Sequence, residues 1–344
     1  MSKWNVKIIL SLVICLSWTC LTRAAVATEV SAEAIVLEEA VEPEMKTEIM
    51  KVDIIADEEF PDFMREYPGL IEKIQTERLA SRNPYVLLPH KPNYFMPLTY
   101  QTKVNQQEQE DFYSGLGTDE ESGYENADFE NYEFVFQLSV KYIVAENILG
   151  KFSTLAVAYT NKSFWQAYND SVSALFRETN HEPEIILGFK AFNKIVNHWT
   201  LAFNHQSNGQ VGNLSRSWNR IILGGTKIFP NSLLHVKAWY RMPETSKADP
   251  ADPSDNDNPD IDDYMGHGEV FFLRKLGQHS IAATVRNNLN FDENRGAIEL
   301  DWTFPLPGNL KGFVQYFNGY GESLIDYNQY QERFGVGIKI ADWL

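Results

Sequence analysis

Residues 331–342, "QERFGVGIKIAD", carry the pattern that decides the fold. From Phe334 to Ile340 every second side chain is apolar, so one face of an extended strand holds Phe334, Val336, Ile338 and Ile340. The alternate positions hold two glycines and Lys339. An apolar face opposite a face with a charge indicates a strand with lipid on one side and a polar interior on the other.

Similar extended runs recur from about residue 132 onward, separated by Gly, Asn, Asp and Pro turns. They lie near 132–145, 151–165, 183–193, 196–207, 216–228, 231–242, 262–276, 278–289, 295–306, 309–320 and 331–342, and 92–103 offers a first strand before them. Strands of about ten residues with alternately short and long loops predict an all-β fold, a transmembrane antiparallel β-barrel of about twelve strands. Trp199, Trp218, Trp239 and Trp302 are interpreted as aromatics at the membrane interface. The strands of a soluble β-sandwich also alternate apolar and polar residues, so a sandwich is the alternative fold.

The residues before the barrel differ in composition. Residues 1–27 are predicted to be a cleavable signal peptide, with Lys3 and Lys7 before a short apolar core. Residues 28–131 hold most of the net charge of −17 and are predicted to be an acidic, partly disordered extension, and 132–344 the barrel. The acidity argues against nucleic acid as a partner. Both cysteines lie in the signal, which argues against disulfides and thiolate metal sites.

The strand near 196–207 places polar groups on the predicted lipid face. His205 and Ser207 share a face with Leu201 and Phe203, and Asn219 follows the same outward alternation in the next strand. Polar side chains on a lipid-facing surface cost free energy unless they form hydrogen bonds with one another. If the two strands are neighbours, the three residues form a nucleophile, a base and a group that orients the base. The alternative interpretation is that these residues belong to a ring of polar side chains at the membrane interface and have no catalytic role.

The stretch "NHQSNGQVGNLSRSWNR", 204–220, closely resembles the active-site segment of the outer-membrane phospholipase A family. The resemblance extends to "LFRETNHEPEIILGF" at 175–189, "DNPDIDDYMG" at 257–266 and "GYGESLIDYNQYQERFGVGI" at 319–338, and more weakly to "HKPNYFMPLTY" at 90–100. It implies a twelve-stranded, calcium-dependent lipolytic barrel of the cell outer membrane. The implied reaction hydrolyses phospholipid esters at both glycerol positions, and lysophospholipids, in a homodimer.

The resemblance also assigns roles to individual residues. It implies that Ser207 is the nucleophile, His205 the general base, Asn219 the residue that orients it, and Gly209 the oxyanion donor. The implied calcium ligands are Ser215, the carbonyl of Gln210, and Ser173 from the second subunit. Calcium prefers several hard oxygen ligands of this kind.

Other candidates receive structural interpretations. The acidic loop 248–264, "ADPADPSDNDNPDIDDY", lacks the glycine and final glutamate of an EF-hand and is interpreted as a solvated loop. Five further histidines lack metal-ligand spacing and are interpreted as structural: residues 181, 198, 235, 267 and 279. Two rival functions remain, a non-catalytic barrel serving as a small pore or adhesion scaffold, and a soluble exported esterase.

Overall fold

The structure is a computed structural model. It describes residues 71, 75–76, 78–80, 82–83, 85–105, 129–170, 172–174, 176–191, 195–245, 256–308 and 310–341. The predicted signal peptide and most of the predicted acidic extension lie outside the described residues. Among the described residues, no helix is both long and apolar enough to cross a membrane.

One antiparallel sheet contains all the strands of the described residues. They are β1 (Leu88–Pro89), β2 (Asn93–Gln101), β3 (Tyr132–Glu146), β4 (Ser153–Trp165), β5 (Phe176–Lys190), β6 (His198–Ser207), β7 (Ser217–Phe229), β8 (Ser232–Arg241), β9 (Gly268–Leu276), β10 (His279–Asn287), β11 (Gly296–Pro305), β12 (Lys311–Gly319) and β13 (Gln331–Ala341). Residues 212–214 form a 3-10 turn, and Ile261–Met265 form a one-turn α-helix.

The sheet closes into a barrel. Each strand from β3 to β13 pairs with the next in the chain, and β2 pairs with both β13 and β3. The two-residue β1 pairs with the far end of β3, beyond β2. The predicted barrel is therefore confirmed, since a β-sandwich has two separate sheets packed face to face.

Two predicted strands have different bounds in the structure. The run predicted at 183–193 is β5, which begins at Phe176, because its inward residues are charged and pair inside the barrel: Arg177 with Glu133, and Glu182 with Lys91. The run predicted at 262–276 starts as the one-turn helix Ile261–Met265, and strand β9 begins at Gly268.

The two faces of the wall have opposite character. Large apolar side chains are exposed on the outside of most strands, among them Val140, Tyr159, Ile185, Leu201, Leu223, Val270, Ile298 and Val336. The predicted interfacial tryptophans divide between the faces. Trp199 and Trp302 are exposed, whereas Trp218 and Trp239 are buried and stack edge-on inside the barrel, so the interfacial interpretation is wrong for that pair.

Short and long connections alternate, as predicted. Two-residue turns join β7 to β8 and β9 to β10, whereas much longer connections follow β2, β8 and β12. The long loops after β4, β6 and β8 share one rim of the barrel. That rim carries the candidate site.

Candidate active site

His205 and Asn219 face each other across the β6–β7 pair. They are register partners, and the His205 Nδ1 lies 2.9 Å from the Asn219 Oδ1. An amide oxygen only accepts, so His205 donates through Nδ1, and its Nε2 is the nitrogen left to accept a proton. The predicted outward direction holds, because Leu201, Phe203 and Ile221 on the same faces are exposed.

Ser207 lies two residues after His205 on the same face, at the end of β6. Its register partners are His181 on β5 and Ser217 on β7. No hydrogen bond joins Ser207 to His205 in the described part of the chain. Such bonds are often long before substrate binds, so the arrangement still suits a nucleophile next to its base.

A buried asparagine, Asn208, holds the β6–β7 loop that follows the serine. Its side chain donates to the Leu214 carbonyl at 2.7 Å and accepts from the backbone N–H of Arg216 at 2.9 Å and of Gln210 at 3.3 Å. Gly209, held within this loop, has a φ of +67°, the left-handed region that favours glycine. In the described residues, the Gly209 amide makes no hydrogen bond and is available as a donor.

Oxygen groups gather where this loop meets the β8–β9 loop. The Ser215 hydroxyl donates to the Asp257 carboxylate at 2.5 Å, and the Ser217 amide donates to Asn258 at 2.9 Å. Asp257 belongs to the acidic loop that the sequence analysis interprets as only solvated. That interpretation misses its contact with Ser215, a predicted calcium ligand. A serine hydroxyl, a carboxylate and the carbonyl of Gln210, in the same loop as Ser215, are hard donors of the kind that Ca²⁺ binds.

The same loop carries a second acid in a different environment. Burial raises the pKa of Asp262 above its ordinary value, and the Arg241 guanidinium, 3.7 Å away, opposes that shift. Arg241 also donates to Asn256 at 2.8 Å and to the Asn258 carbonyl at 3.0 Å. The arginine therefore anchors the segment that contains Asp257.

Comparisons with known proteins decide the family. A family model described as Phospholipase A1 matches residues 70–340. The chain belongs to the phospholipase A1 family. A Phospholipase A1 from Proteus vulgaris is 36% identical over 265 residues, which cover 76% of this chain and 83% of the relative.

Solved structures of phospholipases match the fold. The outer membrane phospholipase A from Escherichia coli has a TM-score of 0.65 and 34% identity, covering 76% of this chain and 94% of that one. A variant of the same enzyme has an active-site asparagine replaced by alanine. The outer membrane phospholipase dimer from Salmonella typhi, with bound calcium, has a TM-score of 0.65 and 33% identity, covering 77% of this chain and 96% of that one.

The third predicted calcium ligand of this phospholipase A1 family member belongs to a different loop from the other two. Ser173 is in the β4–β5 loop at the same rim, where its carbonyl accepts from the Trp165 indole at 2.7 Å. Its hydroxyl makes no hydrogen bond in the described residues. That Ser173 serves the calcium site of a second copy stays a prediction.

The histidines that the sequence interprets as structural have varied environments. His181 lies next to Ser207, and its Nδ1 is 2.6 Å from the Tyr159 hydroxyl, whereas the His235 Nδ1 is 2.8 Å from the Thr226 hydroxyl. The described residues contain no group of three or more His, Cys, Asp or Glu side chains placed to hold a metal. A calcium site made of serine and carbonyl oxygens is of a different kind.

Sequence reasoning also misses an acid directly behind the candidate triad. The Asn219 side-chain amide donates to the Glu244 carboxylate at 2.9 Å. Glu244 follows β8 in the stretch "MPETS", which has no motif that marks it. Only the pairing of β8 with β7 brings it to the site.

Proposed function

We propose that this protein is a calcium-dependent outer-membrane phospholipase in which Ser207, His205 and Asn219 form the catalytic triad. The hydrogen-bonded His205–Asn219 pair beside Ser207 on the lipid-facing wall is the observation that carries the proposal. A pore uses its interior, so it has no need of these groups outside. A soluble esterase has no need of a wall of exposed leucine, isoleucine and valine.

The reaction follows the acyl-transfer scheme of serine hydrolases. The Ser207 Oγ attacks the ester carbonyl carbon, and its proton passes to the His205 Nε2. The tetrahedral intermediate collapses with cleavage of the C–O bond, and His205 returns the proton to the leaving glycerol oxygen. Water, activated by the same nitrogen, then hydrolyses the acyl-enzyme and releases the fatty acid.

The Gly209 amide serves as an oxyanion donor in this scheme. It lies two residues after the nucleophile, is free of hydrogen bonds in the described residues, and is held by the loop that Asn208 closes. A single donor of this type typically contributes on the order of 10²–10³ in rate.

The oxygen groups of the β6–β7 loop fit calcium. Ser215 and the Gln210 carbonyl would hold the ion, and the Asp257 carboxylate next to Ser215 supplies the negative charge that a divalent cation favours. Bound calcium supplies positive charge that stabilises a developing oxyanion. This chain's own part is to hold the loop through Asn208 and Arg241.

A second copy of the chain completes the site in this proposal. The apolar outer wall near Ser207 includes Leu201, Phe203 and Ile185, all exposed. Two barrels side by side would cover such faces and form a groove for acyl chains. Ser173 of one copy would then contribute to the calcium site of the other, so activity requires the dimer. The substrates are membrane phospholipids, cleaved at either glycerol position, and lysophospholipids.

Fatty-acid release from phospholipid by the detergent-refolded protein tests the proposal. We expect release with calcium, almost none with a chelator, and none from Ser207→Ala. Chemical crosslinking in the same samples reports dimers. If the folded wild type releases no fatty acid under conditions where dimers form, the non-catalytic barrel becomes the better reading.

A further inference from the structure

We propose that Glu244 is a positioning residue that extends the Ser207–His205–Asn219 triad to a fourth member. The inference rests on the proposed function, because it assigns a role toward that triad. It starts from one contact, the hydrogen bond of 2.9 Å from the Asn219 Nδ2 to the Glu244 Oε1.

Backbone pairing holds Glu244 in place. Strand β8 runs antiparallel to β7, and just beyond its end the Met242 amide donates to the Asn219 carbonyl at 2.8 Å. Glu244 lies two residues further on, an even spacing that returns its side chain to the side of Met242 and Asn219. The backbone bond at Met242 thus brings the carboxylate to the side of Asn219.

The carboxylate determines which way the Asn219 amide points. An asparagine presents an oxygen acceptor and a nitrogen donor of nearly the same shape, and an ionised carboxylate only accepts. Glu244 therefore holds the nitrogen on its own side and leaves the oxygen facing the His205 Nδ1, 2.9 Å away. That selects the His205 tautomer whose Nε2 is free to take the Ser207 proton.

Glu244 also supplies a charge that asparagine lacks. A catalytic histidine becomes an imidazolium during the reaction, and a nearby negative charge favours that form. The Glu244 side chain is 17% exposed, so water screens its charge only in part. Arg241 is the cation facing it, at 3.8 Å from Oε2, and it also meets Asp262 at 3.7 Å.

Kinetics of alanine variants test the role. For the refolded protein with saturating calcium and a fatty-acyl p-nitrophenyl ester, we expect Glu244→Ala to lower kcat about tenfold with little change in KM, the size expected for losing one hydrogen bond to a charged group. Glu244→Gln keeps an acceptor oxygen without the charge, so we expect a smaller loss. Glu293→Ala removes an exposed acid from the same rim and should leave kcat unchanged.

A double-mutant cycle separates positioning from a purely structural effect. If Glu244 acts mainly through Asn219, then Glu244→Ala slows the Asn219→Ala variant far less than it slows the wild type, and the small remainder is the direct effect of its charge on His205. An additive loss in the double variant overturns the proposal, as does wild-type kcat in Glu244→Ala. Should that variant fail to fold, Glu244→Gln enters the same cycle.

The other role that Glu244 could have is that of a calcium ligand. The calcium concentration that half-activates Glu244→Gln tests this role. An unchanged half-activating concentration supports positioning, whereas a large increase assigns Glu244 to the metal site and overturns the proposal. The Ser207→Ala variant keeps the two proposals distinguishable. If it retains full activity, the proposed function fails; if only the Glu244 cycle fails, that function stands.

Discussion

At the scale of single residues, the backbone of Gly209 links local geometry to chemistry. Its φ of +67° costs a residue with a side chain about 1–2 kcal/mol. A methyl group there would meet His181 only at ordinary contact distance, 3.7 Å, so a clash does not add to this cost. We expect Gly209→Ala to fold and to lower kcat about tenfold or more, because the loop relaxes and moves the amide away from the oxyanion.

Gly277 offers the matched control for that substitution. It has a similar φ of +64°, nothing within 4 Å of an added methyl group, and a position in the turn between β9 and β10 at the opposite rim. Gly277→Ala should therefore carry the same backbone cost and leave fatty-acid release unchanged. Equal losses of activity in the two variants would mean that Gly209 acts only through stability.

Single residues also mark where sequence reasoning succeeds and where it stops. The outward direction of His205, Ser207 and Asn219 follows from alternation along one strand, which is a local property. Glu244 lies 25 residues from Asn219, and their contact depends on the register between β7 and β8. Short sequence patterns do not encode that register, so Glu244 can be assigned to the site only once the pairing of the strands is known.

At the scale of elements, the strand predictions fail where polar residues belong to the wall. The first third of β5 reads "FRETN" and looks like a loop, yet Arg177, Glu178 and Asn180 are buried in the lumen. The pairing with β4 is irregular at Arg177, which meets Glu133. The run at 262–276 is predicted to be one continuous strand, but Pro259 and Asp260 precede a one-turn helix instead. Barrel interiors accept charges that pair, so hydrophobicity alone misplaces strand ends.

The contact between the β6–β7 and β8–β9 loops supports a prediction about calcium. The Asp257 carboxylate accepts from Ser215, a proposed calcium ligand, so Asp257→Asn removes a negative charge beside the proposed calcium site. We expect the half-activating calcium concentration to rise about tenfold or more, as for other partners of metal ligands, with kcat at saturating calcium largely kept. Asp292→Asn, in the β10–β11 loop of the same rim, should leave the calcium titration unchanged.

At the scale of the whole molecule, closure of the barrel requires the segment that the sequence offers as a first strand, which lies ahead of the change in composition at residue 132. Strand β2 joins β13 to β3, and its bounds, Asn93–Gln101, fall within the segment offered as a first strand. The residues before it turn into the lumen, where Lys91 lies 2.6 Å from Glu182. A boundary at residue 132 follows composition, and composition does not report which segment completes a ring.

A buried ion network near the site rim links strands that are distant in the chain, and its loss should weaken the whole barrel. Glu133 on β3 meets Arg333 on β13 at 2.8 Å and Arg177 on β5, and all three side chains are almost fully buried. Arg333 also pairs with Glu322 at 2.9 Å, so Arg333→Met leaves buried carboxylates short of a cation. Breaking such a network typically costs about 3–5 kcal/mol. We therefore expect the detergent-folded Arg333→Met barrel to unfold at a lower urea concentration than the wild type. The folded fraction is measured by electrophoresis, because the folded and the heat-denatured barrel migrate differently. Arg295→Met breaks an exposed pair with Glu293 and should shift the midpoint little; equal shifts in the two variants would contradict a role for burial.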